Sequence, residues 1–444
     1  MKRIAFLGAL TSALCLSVFS AWSAPGAGAA PGSHVATPAA SAKTATTATV
    51  PTPATITVTA PAETEIKTET AALDEALPVR GLAIAAPTRD GMDLFVKFIE
   101  QELAPAHFNL LILRVDWNYA YKSHPELSDP DPLTEADVKR LVDVCRRHGI
   151  RIAPQINLLG HQSWAETTYA LLREYPQFDE TPHVDTKNYT EWPNADGLYC
   201  KSYCPLHPDM PRVVNALIDE ITTVFETDLF HAGMDEVFYI ADERCPRCAG
   251  HDPAELFAGE VTRISNHLAL TGKRLMIWGD RLLDGEATGM GMWEASMNGT
   301  ARAVDLIPRD VFVCDWHYER ADLSAIYLAM KGLDVATCPW RNPELAVRQM
   351  NDIIGWRRQT TEATKAHLRG IIETVWSDAE QFLREYYALE SEAGGQGETE
   401  ELGKPNEQGE AGEAGEVGEA GEPESDGYSN AATLKRLMEE FRRL

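Results

Sequence analysis

The sequence predicts an α/β protein whose single catalytic domain is a (β/α)8 TIM barrel. Three observations support this prediction. Strand-like and helix-like segments alternate from Val79 to about residue 390, which is typical of a parallel sheet covered by helices. Eight segments are strand-like, and eight units favour a closed barrel over an open doubly wound sheet. Polar and aromatic residues collect where these segments end, which is the end of a barrel that carries chemistry.

The eight predicted strands are short apolar segments bounded by charged or turn-forming residues. They cover residues 79–86, 108–116, 150–157, 228–234, 273–280, 310–317, 333–340 and 368–376. Helices are expected between most of them, and two of these helices have clear start signals. The segment 134–149 is amphipathic and has Thr134 as its N-cap. The segment 252–272 begins with a capping box that pairs Asp252 with Glu255.

The first 24 residues are expected to be a secretory signal peptide. Lys2 and Arg3 precede an apolar run that extends to about Trp22, and small residues follow. A membrane anchor is the alternative interpretation of the same run, whose length is marginal for a span. The signal peptide predicts an exported protein, periplasmic or extracellular. No membrane association beyond the signal peptide is expected, because no other stretch is long and apolar enough.

Three other segments differ in composition from the barrel, which is predicted to cover residues 78–390. Residues 25–77 are rich in Ala, Thr and Pro and are expected to form a disordered linker. Residues 391–428 form a Gly/Glu-rich insert with too few apolar groups to fold. Residues 429–444 are amphipathic and are expected to form a C-terminal helix that packs on the barrel.

The chain is strongly acidic, with a formal net charge of -27. Residues 390–427 contain 13 acidic residues and one lysine, so nearly half of this charge lies in the low-complexity insert. The charge disfavours nucleic acid as a partner, because phosphate binding needs a basic face.

Carboxylates and tryptophans recur at the ends of the predicted strands. Asp235 and Glu236 directly follow the fourth strand. The other members of this set are Asp116, Trp117, Asn118, Asn157, His161, Trp278, Asp280, Asp315, Trp316, His317, Trp340, Trp376 and Asp378. Aromatic rings stack on the apolar faces of sugars, and carboxylates bind hydroxyl groups or transfer protons. The pattern therefore predicts a carbohydrate site at this end of the barrel.

Two cysteine pairs flank the fourth strand. Cys200 and Cys204 precede it, and Cys245 and Cys248 follow it. Four thiolates in this arrangement would hold a structural Zn²⁺ ion, whereas export favours disulfides between the two loops. The spacing leaves both interpretations open. In either case the cysteines are expected to hold together the loops that shape the pocket.

The segment HAGMDE at residues 231–236 resembles the His-x-Gly-Gly-Asp-Glu signature of glycoside hydrolase family 20, the β-N-acetylhexosaminidases. Further family motifs are similar to segments associated with strands one, three, five and eight, at residues 79–85, 153–164, 277–280 and 375–378. The resemblance runs in the family's order over residues 79–390, so the set is much more specific than any one of its motifs.

This resemblance implies an exported retaining glycosidase that removes a terminal β-linked N-acetylhexosamine. The sugar's own acetamido oxygen would attack the anomeric carbon and form an oxazolinium intermediate. Glu236 would act as general acid and then as general base, while Asp235 would orient the acetamido group and stabilise its charge. His161 and Asp116 occupy the positions of a family His and Asp that tune the glutamate. No cofactor is implied, because the substrate supplies the nucleophile.

The resemblance also implies the residues that bind the sugar. Arg80 would contact ring hydroxyls, Tyr318 the acetamido oxygen and Asp378 a distal hydroxyl. The wall and floor of the pocket would be formed by Trp278, Trp316, Trp340 and Trp376. The expected partner is thus a carbohydrate substrate, a glycoside of N-acetylhexosamine.

Four positions depart from the family pattern. Gln155 and Asn157 stand where the family has Glu and Asp, and Met234 stands in place of a glycine. Ala85 lies near the place of a strand-one aspartate that is absent here. These differences bear on the exact substrate more than on the reaction type. Two rival functions remain, namely a glycosidase of another specificity on the same barrel and a non-catalytic carbohydrate-binding protein.

Overall fold

The computed structural model describes residues 71–164, 167–184, 200–393 and 428–444. The predicted signal peptide, the predicted linker up to residue 70 and most of the predicted Gly/Glu-rich insert lie outside the described residues. Within those residues, the helices are all too short or too polar to cross a bilayer.

Eight parallel strands close into a barrel, so the predicted fold class is confirmed. The strands are β1 (Val79–Ala85), β2 (Leu110–Arg114), β3 (Arg151–Leu158), β4 (Leu229–Gly233), β5 (Arg274–Trp278), β6 (Phe312–Trp316), β7 (Asp334–Cys338) and β8 (Leu368–Thr374). Each strand pairs with its neighbours in sequence order, and β1 closes the ring against β8 with Val79 opposite Gly370. All eight predicted segments overlap these strands, with ends that differ by a few residues.

Strand residues alternate between the inside of the barrel and its helical coat, because successive side chains of a strand point to opposite faces. On β2, Leu110 and Ile112 lie in the inner cluster with Trp278 of β5. Leu111 and Leu113 of the same strand lie in the large outer core beneath the helices. The inside of the barrel is thus filled by side chains.

Helices cover the outside of the barrel, but their lengths differ widely. They are α1 (Met92–Phe98), α2 (Glu135–Arg147), α3 (Ala170–Glu174), α4 (Met210–Val224), α5 (Pro253–Ala269), α6 (Gly285–Thr288), α7 (Ser324–Met330), α8 (Pro343–Gln359), α9 (Glu362–Lys365), α10 (Ala379–Ala393) and α11 (Asn430–Phe441). A π-helical turn, Ile99–Leu103, continues α1. Between β5 and β6, α6 and two 3₁₀ turns, Asp280–Leu282 and Ala301–Asp305, occur in place of a long helix.

The predicted helix starts follow from side-chain capping. Thr134 accepts a hydrogen bond from the Asp137 N–H, and Asp137 accepts one from the Thr134 N–H in return, which completes a capping box. Asp252 caps α5 by accepting from the N–H groups of Ala254 and Glu255. The predicted capping box is thus only half confirmed, because no hydrogen bond from the Asp252 N–H to Glu255 occurs among the described residues. The Glu255 carboxylate lies 3.9 Å from Arg302 instead.

The segments that precede and follow the barrel in the sequence both pack against it. The sequence predicts a linker up to residue 77, but residues 71–76 are helical and Leu73 and Leu77 are buried in the outer core. The prediction of a linker is therefore wrong for residues 71–77, because these two leucines bury enough apolar area to hold the segment on the barrel. At the other end of the chain, Phe441 of α11 packs on Phe108, with ring centroids 5.4 Å apart.

Candidate active site

The end of β4 brings two adjacent carboxylates into a buried position. Asp235 and Glu236 are each 7 % exposed. The backbone reaches this position through three residues with positive φ, at Gly233 (65°), Met234 (69°) and Glu236 (47°). A side chain at Gly233 would meet Asn157 Oδ1 at 2.4 Å, so the turn also requires a glycine there. Positive φ is costly for residues other than glycine and often marks a functional site.

His161 lies between the two acids. Its Nε2 atom is 3.2 Å from Asp235 Oδ2 and 3.0 Å from Glu236 Oε2. The ring stacks on Trp164 at an interplanar angle of 10°. Burial opposes protonation of His161, but the Asp235 carboxylate outweighs burial and raises the pKa of His161 well above its usual value. For the same reason the pKa of Asp235 is lowered despite its burial. The two residues form a buried ion pair.

The two oxygens of Asp235 have different surroundings. Oδ2 faces His161, whereas Oδ1 is buried and has no hydrogen-bond partner among the described residues. A buried carboxylate oxygen without a partner is costly to keep, and such groups are rare in folded proteins. The arrangement therefore offers a strong acceptor to a ligand N–H or O–H group.

Asp280 and Arg281 hold the backbone of Glu236 in place. Asp280 Oδ2 accepts hydrogen bonds from the Glu236 N–H (2.9 Å) and from Arg281 Nε (2.6 Å). Burial and the nearby Asp235 raise the pKa of Asp280 to about 6, and Arg281 acts against this rise. The sequence indicates Asp280 only as an acid at a strand end, and the structure shows that it binds the Glu236 N–H.

Cys200 is a further neighbour of Glu236. Its sulfur lies 3.3 Å from His161 Nδ1 and 3.8 Å from Glu236 Oε2. Burial raises the pKa of the Cys200 thiol to about 12, so the sulfur stays protonated at neutral pH. The sequence predicts Cys200 as a partner of the other three cysteines, and the structure corrects that prediction by placing it beside the acids. Its spacing in the sequence carried no signal for this role.

Asp116 is fixed at the neighbouring strand ends. Its Oδ1 accepts a hydrogen bond from the Asn157 N–H at 2.7 Å, and Gln155 Nε2 donates to Asn157 Oδ1 at 2.9 Å. Two of the residues that depart from the family pattern, Gln155 and Asn157, thus form one chain of hydrogen bonds with Asp116. The predicted contact between His161 and Glu236 is present in the structure, whereas the extension of that relay to Asp116 stays a prediction.

A group of aromatic rings lies at the same end of the barrel. Tyr318 is at its centre, with Trp316 and Trp340 at centroid distances of 5.0 and 5.1 Å. Trp376 donates from Nε1 to the Tyr318 hydroxyl at 2.8 Å and packs on Trp278 at 5.5 Å. These are the five aromatic residues predicted for the pocket, and the structure brings them together.

Three of these tryptophans have unused polar atoms. The indole N–H groups of Trp278, Trp316 and Trp340 are buried, and no described residue accepts a hydrogen bond from them. Buried Trp N–H groups usually find an acceptor. Trp278 is fully buried and also packs on His231 at 4.6 Å, so it belongs to the barrel interior as much as to the pocket.

The position of Tyr318 is set by a buried ion-pair chain. His317 lies 3.1 Å from both Asp315 and Glu294. The other oxygen of Glu294 accepts a hydrogen bond from the Tyr318 N–H at 3.1 Å. Burial acts against protonation of His317, but Asp315 and Glu294 raise its pKa to about 10. The sequence carries no signal for Glu294, because this residue lies in an irregular segment between the predicted strands.

Two predicted sugar-binding residues lie apart from this group. Arg80 is the second residue of β1, at the opposite end of the barrel, where its guanidinium binds the carbonyls of His107 and Leu77 and the carboxylate of Asp74. The prediction for Arg80 is therefore wrong, since the beginning of a strand faces away from the catalytic end. Asp378 is exposed and directly precedes α10. It follows the end of β8 and therefore lies at the same end of the barrel as Asp235 and Glu236.

A second cluster lies in the loops behind the acids. The sulfurs of Cys204, Cys245 and Cys248 and the carboxylate of Glu180 all lie within 4.8 Å of one another. We call this group the thiol–carboxylate cluster. The predicted set of four cysteines is thus corrected, with Glu180 in place of Cys200.

Comparisons with known proteins agree with these observations. A family model described as "Glycosyl hydrolase family 20, catalytic domain" matches residues 116–388, more than half of the chain. The chain is 27% identical over 152 residues to a beta-hexosaminidase of Akkermansia muciniphila, covering 33% of this chain and 29% of that protein. It is also 27% identical over 164 residues to a lacto-N-biosidase of Bifidobacterium bifidum, covering 34% of this chain and 13% of that protein.

The chain therefore spans less than a third of the length of these two relatives. A solved structure, the Flavobacterium johnsoniae chitobiase, covers 67% of this chain and 44% of its own, with a TM-score of 0.49 and 20% sequence identity.

Proposed function

Because the chain belongs to glycosyl hydrolase family 20, we propose that it removes a terminal β-linked N-acetylhexosamine from a glycoside, with retention of configuration. The observation that supports this most directly is Asp235 Oδ1, a buried carboxylate oxygen without a hydrogen-bond partner in the described part of the chain, next to Glu236. An acetamido N–H is the donor that this oxygen would accept.

In the first step, the acetamido oxygen of the substrate attacks the anomeric carbon. A carbon–oxygen bond forms to the acetamido group as the bond to the leaving group breaks, and Glu236 gives its proton to the leaving oxygen. Positive charge develops on the acetamido group, and the negative charge of Asp235 stabilises it, more strongly at this buried position than in water. His161 fixes the other oxygen of Asp235 at 3.2 Å, which orients the carboxylate.

In the second step, water attacks the anomeric carbon and opens the oxazolinium ring. Glu236, now a carboxylate, takes the proton of this water and returns to its acid form. Two inversions at the same carbon give overall retention. The hydrogen bond from the Glu236 N–H to Asp280 keeps the acid in one position through both steps.

The aromatic group supports a sugar as the ligand. Tyr318, Trp316, Trp340 and Trp376 offer apolar faces, and the unused indole N–H groups of Trp316 and Trp340 offer donors to hydroxyl oxygens. This combination of faces and directed donors is what a pyranose ring needs.

We also propose that the protein is exported to the periplasm or the extracellular space. This proposal depends on the N-terminal sequence alone, with its basic start and apolar run up to Trp22. Cell fractionation, with N-terminal sequencing of the mature chain, tests it. A mature chain that retains the first 24 residues would contradict the predicted cleavage.

The function is tested by measuring sugar release from aryl β-N-acetylglucosaminide and β-N-acetylgalactosaminide, beside the same aryl glycosides without the N-acetyl group. We expect turnover of an N-acetylated substrate only, and a 10²- to 10⁴-fold loss in Glu236→Gln, roughly the usual contribution of a general acid–base residue. The matched control is Glu344→Gln, an exposed residue in the first turn of α8.

Turnover of glycosides without the N-acetyl group would indicate a glycosidase of another specificity. Sugar binding without turnover, unchanged in Glu236→Gln, would indicate a carbohydrate-binding protein.

A further inference from the structure

The thiol–carboxylate cluster joins three separate loops. Glu180 follows the 3₁₀ turn Pro176–Phe178, Cys204 precedes α4, and the other two cysteines lie in the Cys-Pro-Arg-Cys turn between β4 and α5. All four residues are buried, with at most 2 % of any of them exposed. Four polar side chains from three loops thus point to one buried position.

The distances within the cluster match metal coordination. Cys204 Sγ lies 3.4 Å from Cys248 Sγ and 3.6 Å from Cys245 Sγ. Tetrahedral Zn²⁺ with zinc–sulfur bonds of about 2.3 Å places its ligand sulfurs about 3.8 Å apart. The two sulfur–sulfur distances are thus close to those of a tetrahedral zinc site.

Glu180 supplies an independent observation. Its Oε1 accepts a hydrogen bond from the Asp242 N–H at 3.1 Å. Its Oε2 is buried, and it has no hydrogen-bond partner within the described residues. The first oxygen orients the carboxylate, and the second remains available as a ligand atom.

Disulfide bonds do not account for the cluster. It contains three cysteines, and an odd number of thiols cannot all be paired with one another. Cys200, the nearest other cysteine in the sequence, contacts His161 and Glu236 instead. A metal ion, by contrast, uses all three thiolates and the carboxylate.

We propose that the thiol–carboxylate cluster is a structural Zn²⁺ site with three sulfur ligands and one oxygen ligand. The Cys-x-x-Cys spacing is typical of structural zinc sites, and a full set of four protein ligands leaves no open position for catalysis. Binding would release the protons of the three thiols to solvent. The Arg247 guanidinium, 4.0 Å from Cys204 Sγ, offsets part of the negative charge of the complex.

The proposed ion would connect the loops that border the catalytic acids. Cys204 is four residues after Cys200, which contacts Glu236. Cys245 lies nine residues after Glu236 on the loop that leaves β4. The zinc site would therefore hold the Cys200 loop and the Glu236 loop in fixed positions behind the pocket.

The test is metal analysis of the full chain, purified without chelators and without affinity metals. We expect about one zinc per chain by elemental mass spectrometry. Cys248→Ser is expected to lose stoichiometric zinc, and Glu180→Gln to bind it at least roughly 10-fold more weakly. Cys145→Ala is the matched control, because Cys145 is a buried cysteine on α2 outside the cluster.

Cobalt substitution provides a readout on the wild-type protein, so the result does not depend on whether a variant folds. Co²⁺ in this site should give thiolate-to-metal absorption and the visible bands of a tetrahedral ion. Wild-type protein that contains no stoichiometric zinc and binds no Co²⁺ through thiolates would overturn the proposal. A Cys204 disulfide with Cys245 or Cys248, found by peptide mass mapping, would overturn it as well.

Discussion

At the scale of single residues, the two oxygens of Asp235 have different surroundings. His161 pairs with Oδ2, while Oδ1 is buried and has no hydrogen-bond partner in the part of the chain that the structure describes. Folding alone would favour a partner for both oxygens, because an unpaired buried carboxylate oxygen is destabilising. The asymmetry is explained if Oδ1 meets its partner only when substrate binds. Asp235 would then act as an oriented acceptor and Glu236 as the proton carrier.

The substitution Asp235→Asn should separate these two roles. We expect kcat on an aryl N-acetylglucosaminide to fall by roughly 10²- to 10³-fold, as when one stabilising group of a transition state is removed. KM should change much less, because the charge on the acetamido group develops only during reaction. Steady-state kinetics measure kcat and KM of this variant. The matched control is Asp352→Asn, a substitution on helix α8. An unchanged kcat would refute the assigned role.

At the scale of secondary-structure elements, the end of β4 is shaped by backbone conformation. Gly233 has a φ of 65°, and a Cβ atom there would lie 2.4 Å from Asn157 Oδ1. Substitution by alanine would strain the turn and push β4 away from β3. The same turn carries Asp235 and Glu236, so strain there should affect catalysis as well as stability.

We expect Gly233→Ala to lower the free energy of unfolding by more than about 1 kcal/mol and to reduce kcat/KM together with it. The matched control is Gly355→Ala in the interior of α8, where the new Cβ would meet only Gln359 Nε2 at 3.9 Å. That control should stabilise the protein by up to about 1 kcal/mol. Denaturant unfolding and kinetics measure both variants, and equal effects at the two glycines would contradict the account.

The loop after β6 depends on the charge of His317. Asp315 and Glu294 overcome the effect of burial and raise the pKa of His317 to about 10, above the usual value of 6.5. A histidine with a raised pKa in the folded state binds its proton more tightly there than in the unfolded chain. Its contribution to stability is therefore complete below about pH 6.5 and is lost as the pH rises through about 10.

His317→Gln should reveal this contribution. We expect the variant to be less stable than wild type by roughly 1–3 kcal/mol at pH 6, with a difference that shrinks as the pH approaches 10.5. Thermal unfolding of both proteins across this range is the measurement. A difference in Tm that stays constant with pH would show that His317 contributes by packing instead of by charge.

At the scale of the whole molecule, the sequence predicts the barrel well because strand patterns are local. Eight apolar segments between amphipathic helices determine the strand order, and the closed ring follows from their number. Contributions from distant segments are harder to predict. Leu73 and Leu77 lie in a segment whose composition resembles a linker, yet both are buried in the outer core.

For the site as well, residues in local sequence motifs are predicted correctly, whereas contacts between distant segments are not. Asp235, Glu236 and His161 lie in motifs with local spacing, and the structure brings them together. The prediction for Arg80 is wrong because Arg80 is the second residue of its strand and lies at the opposite end of the barrel, as the predicted strand 79–86 already implies. Glu180 takes the place in the cluster that the sequence predicts for Cys200, and Cys200 contacts Glu236 instead. The sequence could not show this, because the pairing of long loops depends on contacts between residues far apart in sequence.

The central claim is that the substrate's acetamido oxygen is the nucleophile. It is tested most directly by kcat/KM on aryl β-glucosaminides that differ only in the N-acyl group, from acetyl through mono-, di- and trifluoroacetyl. Fluorine withdraws electron density from the acyl oxygen, so a reaction in which that oxygen attacks should slow at each step of the series. The account predicts this stepwise fall for the wild-type enzyme. Rates that stay level across the series would contradict it and would assign the nucleophile to a protein side chain or to water.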